Sequence, residues 1–177
     1  VFDPAAYRPP WPFVLELLSG TGCVKVAPGL PHGVVPAGVE AEWVSDEGAV
    51  KEAALWSGGL AGPVSRRATL LPSGVTLTDR DDPGAAAVGR VAGPDDLGRW
   101  LLEPDGAVIR AGLVTAVAAL TGSRLLDPHL AYLTSDREPE APFARGYAVR
   151  EVLPLEARSR AAGADVFQAK GLARDHR

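Results

Sequence analysis

Ala41-Glu42-Trp43-Val44-Ser45, Asp46-Glu47-Gly48 and Ala49-Val50-Lys51-Glu52-Ala53-Ala54-Leu55-Trp56 form the stretch on which the reading of the fold turns. Two runs that carry β-branched and aromatic residues flank an acidic residue followed by glycine, the chemistry of a tight turn with a left-handed position. The spacing predicts a β-hairpin over 41–56. Just upstream, Pro10-Trp11-Pro12-Phe13-Val14-Leu15-Glu16-Leu17-Leu18 has apolar residues at 11, 14, 15 and 18. That is helical spacing, and proline is tolerated in a first turn. Ser19-Gly20-Thr21-Gly22 stops the helix, and Cys23-Val24-Lys25-Val26-Ala27 reads as a buried strand ended by Pro28-Gly29. A helix, a glycine stop and an apolar strand make half of a βαβ unit. The loop Pro28-Gly29-Leu30-Pro31-His32-Gly33 then leaves the strand at its C-terminal end, where open α/β sheets place ligands. The first part is therefore expected to be α/β, with a hairpin closing an otherwise parallel sheet.

Beyond it, Ser57-Gly58-Gly59-Leu60-Ala61-Gly62-Pro63 is small and flexible in composition, and a domain boundary is expected there. A second hairpin is predicted from Arg66-Arg67-Ala68-Thr69-Leu70-Leu71 and Val75-Thr76-Leu77-Thr78 around Pro72-Ser73-Gly74. Residues 79–96 are polar, with interspersed Gly and Pro, and read as an exposed loop. Trp100-Leu101-Leu102-Glu103 reads as a short strand or a helix entry. One helix is predicted from Pro104 to Leu120, with 109, 113, 116, 117 and 120 on its apolar face and Gly122 ending it. Strands are expected at Leu130-Ala131-Tyr132-Leu133-Thr134 and over Ala144 to Leu153. The tail from Glu156 reads as a weak, fraying helix.

Composition limits the function classes. The 177 residues are 46% hydrophobic and 23% charged, and no run of about 18 apolar residues suggests a membrane span. A single cysteine, Cys23, excludes an internal disulfide, and no Cys/His spacing suits a structural metal. A net charge of −4 argues against a wholly basic surface but not against a local basic patch. There is no methionine, even at position 1, and Val1-Phe2-Asp3-Pro4 reads like the middle of a protein. A fragment or a truncated gene product is the expectation, with a cytoplasmic setting.

Few residues carry chemistry. His32 is a weak catalytic candidate, a proton donor or acceptor in the ligand-side loop; the alternative is a solvent-facing loop histidine. Asp3-Pro4 with Tyr7 reads as a turn before the helix rather than a catalytic loop. Arg66 and Arg67, with Arg99, Arg110, Arg145 and Arg150, form a candidate basic patch, since guanidinium groups grip phosphates by paired hydrogen bonds. Scattered arginines on solvated faces are the alternative. No glycine-rich turn follows an early strand, and neither a Gly-x-Ser-x-Gly nor a His-Glu-x-x-His motif occurs.

Val24-Lys25-Val26-Ala27-Pro28-Gly29-Leu30-Pro31-His32, the 41–45 run and Glu52-Ala53-Ala54-Leu55-Trp56 resemble a bacterial family of class I S-adenosylmethionine-dependent methyltransferases. Arg67-Ala68-Thr69-Leu70-Leu71-Pro72-Ser73-Gly74 and Leu102-Glu103-Pro104-Asp105-Gly106-Ala107-Val108-Ile109-Arg110-Ala111-Gly112 are similar to the THUMP-like domain that follows the methyltransferase fold in that family, and Leu125-Leu126-Asp127-Pro128 and Tyr132-Leu133-Thr134 continue the likeness. The resemblance implies the C-terminal part of a Rossmann-like methyltransferase sheet over 1–57, a linker at 58–63, an α+β THUMP-like domain over 64–155 and a divergent tail over 156–177. It implies that the hairpin supplies the antiparallel final strand of such a sheet. It places the S-adenosylmethionine pocket and its glycine turn upstream, so no cofactor-binding residue is expected here. It also implies RNA, tRNA by analogy, as the partner, with Arg66, Arg67 and Arg110 as candidate contacts. The rival readings are a non-catalytic RNA-binding or adaptor module and an inactive fragment. Self-association through an unpaired sheet edge is a further expectation.

Overall fold

The computed structural model describes residues 6–152. The turn reading at Asp3-Pro4 and the tail beyond 155 lie outside them, as does the end of the THUMP-like stretch. The predicted helix forms as α1, Trp11–Leu18, burying Trp11, Val14 and Leu18 as its spacing requires. The first strand is β1, Gly22–Val26. The decisive hairpin is β2, Glu40–Asp46, and β3, Ala49–Ser57, joined through Glu47 and Gly48, both with positive φ. β4, Arg66–Leu71, and β5, Val75–Thr78, make the second hairpin.

All five strands lie in one sheet, in the order β1-β3-β2-β4-β5. β3 sits between β1 and β2 and is antiparallel to both, so β1 and β2 run the same way. β2 then pairs with β4 in parallel, Trp43 opposite Ala68. The sheet therefore runs straight through the expected domain boundary. Its cause is visible in the 58–63 segment, which is pinned rather than free: Gly59 N donates to Thr21 Oγ1 at 3.1 Å and Gly62 N donates to Glu40 Oε2 at 2.6 Å.

Register assigns the two faces of this sheet. Val26, Ala53, Leu55, Ala41, Trp43, Ala68, Leu70 and Leu77 share one face and are buried. The other face is polar: Lys25 pairs with Glu52, Glu42 accepts from Trp56 Nε1 and Thr69 Oγ1, and Glu40 pairs with Arg67. β1 was expected to be a buried strand. It is an edge strand of the sheet, with Cys23 and Lys25 exposed and Val26 buried.

A second, antiparallel sheet has the order β7-β8-β6-β9, from β6, Trp100–Pro104; β7, Arg124–Leu125; β8, Leu133–Ser135; and β9, Ala144–Ala148. The single helix predicted from 104 to 120 is two. α2, Gly106–Ala111, is capped by Asp105, whose carboxylate accepts from Ala107 N at 2.8 Å. Gly112 then takes a left-handed φ of 68°, and α3, Val114–Thr121, starts afresh. The break resets the helical phase. Ile109 and Leu120, assigned to the buried face of a continuous helix, are exposed, whereas Val108, Leu113 and Val117 are fully buried. α2 packs across β2, β3 and β4, and one hydrophobic cluster runs from α1 through the first sheet to α3, Leu125 and Leu133.

Glu40 is only 3% exposed, and its two oxygens serve different segments, Arg67 Nε at 2.5 Å and Gly62 N. Removing it leaves a half-buried guanidinium and an amide unpaired. Glu40→Ala is expected to lower stability by about 2–3 kcal/mol, below the range for a fully enclosed pair because Arg67 retains some contact with water. Urea unfolding checks this, and a loss under about 0.5 kcal/mol, the level of an ordinary surface change, would show that the clamp is dispensable.

Candidate functional site

The C-terminal end of a helix leaves carbonyls without partners, and α2 ends where the candidate residues gather. His32 lies in a 3-10 turn after β1, packed against Trp43 with ring centroids 5.0 Å apart. Its Nε2 donates to the Arg110 carbonyl at 2.7 Å. Arg66 Nη1 donates to the carbonyls of Ala111 at 2.9 Å and Gly112 at 3.1 Å. The same guanidinium lies 3.9 Å from Asp82, which also accepts from Thr115 Oγ1 and Gly84 N. His32 and Arg66 thus meet at the α2–α3 break, where their hydrogens satisfy helix-end carbonyls that carry partial negative charge. A small cavity of about 200 Å³ opens beside them.

Arg66 and Arg67, expected to act together with Arg110, do not share a surface. Consecutive strand residues point to opposite faces, so Arg66 faces α2 while Arg67 faces Glu40. The hydrogen bond to Glu40 holds the Arg67 guanidinium above its ordinary range, reinforced by the charges of Glu40 and Glu42 and opposed by burial. Of the three, Arg110 alone is left exposed on α2 without an internal partner for its side chain among the described residues. Arg99 is spent on the Asp136 carbonyl.

Cys23, the one thiol, was not among the candidate site residues. It is exposed on β1, yet its pKa is pushed up, first by partial burial of the group and then by the Glu42 and Glu52 carboxylates on the same face. That is the reverse of an activated nucleophile, which sits near positive charge. Among the described residues, no group of three His, Cys, Asp or Glu side chains is arranged to hold a metal, and no helix is long and apolar enough to cross a membrane.

No family model matches the chain. It is 42% identical over 162 residues to an uncharacterized S-adenosylmethionine-dependent methyltransferase of Mycobacterium tuberculosis strain CDC 1551, and equally to one of strain H37Rv. The match covers 89% of this chain and 43% of each relative, so the chain spans less than half the length of the curated relatives it matches. The fold is similar to the crystal structure of a candidate methyltransferase from Porphyromonas gingivalis W83, with a TM-score of 0.67 and 21% identity over 90% of this chain and 43% of that one. The chain is therefore related to S-adenosylmethionine-dependent methyltransferases and corresponds to a portion of them.

A nucleoside cofactor of that kind is held by a free carboxylate on its ribose and a glycine turn following a strand. Four carboxylates and the glycine run before β1 do not meet that description. Glu40, Glu42 and Glu103 are engaged by Arg67, by Trp56 with Thr69, and by Tyr147; Asp105 caps α2; and Ser19-Gly20-Thr21-Gly22 precedes β1 rather than following a strand.

Two outcomes follow from these contacts. His32→Ala is expected to cost about 1 kcal/mol in thermal or urea unfolding, the net worth of one hydrogen bond. A gain or no change would free His32 from its capping role. Cys23 should react with iodoacetamide more slowly at pH 8 than an unshifted exposed thiol. Its rate should still be rising above about pH 8.5, the ordinary cysteine value, because the raised pKa keeps the thiol protonated there. A plateau below that pH would contradict the placement of Glu42 and Glu52 beside it.

Proposed function

We propose that this chain is the C-terminal portion of an S-adenosylmethionine-dependent methyltransferase that acts on RNA, with the cofactor pocket built by the part of such enzymes that the chain does not span. The carrying observation is β3, wedged antiparallel between β1 and β2 in a chain 42% identical to such methyltransferases. That is the final-strand arrangement implied by the sequence resemblance. The open outer edge of β1 and the exposed Phe13 and Leu17 of α1 support the reading, since a strand and a packing layer could join there. In this reading the chain supplies the closing strands of a sheet, and the part beyond β5 presents the substrate.

RNA as the substrate rests on the THUMP-like resemblance of the 67–74 and 102–112 stretches. The second reading, a non-catalytic RNA-binding piece, is favoured by the continuous core, which links both sheets without an added segment.

Calorimetric titration of the 177-residue chain with S-adenosylmethionine should give no micromolar binding, and such binding would overturn the placement of the cofactor pocket. Filter binding at low salt should retain tRNA, with affinity falling as salt rises. Failure to retain any RNA would remove RNA as the substrate class in both readings.

A further inference from the structure

An unassigned groove lies at the other end of α2 from His32. A groove of about 620 Å³, within the size range of ligand sites, opens between the hairpin tips of the first sheet and strands β6 and β9 of the second. Its polar walls include Ser45, Ser73, Glu103, Asp105, Arg145 and Tyr147. Most of these groups are engaged. Glu103 accepts from the Tyr147 hydroxyl at 3.0 Å, Asp105 caps α2, and Ser73 Oγ donates to the Leu70 carbonyl.

Two groups are not engaged. Ser45 is 1% exposed and its Oγ has no hydrogen-bond partner, although a buried unpaired hydroxyl costs about 1–3 kcal/mol. Arg145, exposed on β9, has no ion pair or hydrogen bond among the described residues, and its guanidinium reaches over the Gly48 turn. It stands directly across from Glu103 in the β6–β9 ladder, but that carboxylate is held by Tyr147. The groove thus offers a free cation and a buried hydroxyl, and both call for an acceptor. Its two acidic side chains already accept hydrogen bonds, which leaves Arg145 as the charged group of the groove without a partner among the described residues. The Tyr147 ring, fixed at its hydroxyl, offers a rigid surface on which a base can stack.

We propose that this groove binds a phosphate of single-stranded nucleic acid, with Arg145 gripping the phosphate and Tyr147 carrying an adjacent base. The inference deepens the RNA reading given above and rests on it. It moves the RNA contact from Arg66 and Arg67, which hold the fold together, to Arg145. A free nucleotide shares the same phosphate chemistry, and the test separates the two.

The test is fluorescence anisotropy of the full 177-residue chain with a labelled five-nucleotide single-stranded RNA, titrated across salt, alongside a labelled mononucleotide. Arg145→Ala should weaken the oligonucleotide at least about tenfold at low salt, in line with losing a charged hydrogen bond, and lower the salt slope by about one. Ser45→Ala should weaken it less and leave thermal stability equal or higher, because its hydroxyl has no partner to lose. Arg80→Ala, an exposed arginine outside the groove, serves as the control and should retain most of the binding. Equal affinity of wild type and Arg145→Ala for the oligonucleotide would overturn the groove and leave the RNA reading standing. Loss of affinity only for the mononucleotide would replace a strand with a free nucleotide as ligand. No binding of the pentamer by a chain that retains tRNA would overturn the groove alone, and no binding of either RNA would overturn both.

Discussion

A single buried carboxylate decides how the two hairpins become one sheet. Glu40 opens β2, and its side chain lies on the polar face among Arg67, Gly62 and the strand edges. The chain leaves β3 at Ser57 and must cross β2 before β4 can pair with it, because the other edge of β3 is taken by β1. Glu40 marks where that crossing lands. One oxygen anchors the crossing at Gly62 and the other fixes β4 through Arg67, so the parallel β2–β4 register and the position of the segment are set together. α2 then packs across β2, β3 and β4, and β6 of the second sheet leads directly into it. A Cβ on Gly62 would come within 2.5 Å of Glu40 Oε2, so the close approach of the crossing calls for glycine at that position.

Local chemistry was legible in the sequence. α1 is written in the spacing of Trp11, Val14 and Leu18, and both hairpins are written in their turn residues, with Glu47, Gly48 and Gly74 at positive φ. What the sequence did not show is which strands become neighbours. The glycine-rich 57–63 segment has the composition of a linker, and only the hydrogen bonds to Thr21 and Glu40 reveal it as a pinned crossing inside a sheet. The helix over 104–120 failed for a different reason. An internal glycine is tolerable in a helix at a modest cost, so Gly112 did not announce a break. It became one because the left-handed turn lets His32 and Arg66 reach the carbonyls of Arg110, Ala111 and Gly112.

The same logic explains why the candidate site read poorly. Adjacent arginines look like a patch on paper, but on a strand they serve opposite faces. Arg66 joins α2 to the sheet, and Arg67 holds the crossing. His32 stood in a loop where ligands are expected, yet it donates to a helix-end carbonyl and packs on Trp43. Arg145 belonged to the same candidate set and was indistinguishable from the others by sequence, because what separates it is its place in the wall of the groove.

The first sheet is unequal at its two edges. Both β1 and β5 are edge strands among the described residues, but α1, with Phe13 and Leu17 exposed, packs at the β1 end. Lys25, in the middle of β1, blunts that edge, because pairing a second strand against it must accommodate a charged side chain and its Glu52 partner. That asymmetry agrees with a chain that spans less than half the length of its methyltransferase relatives.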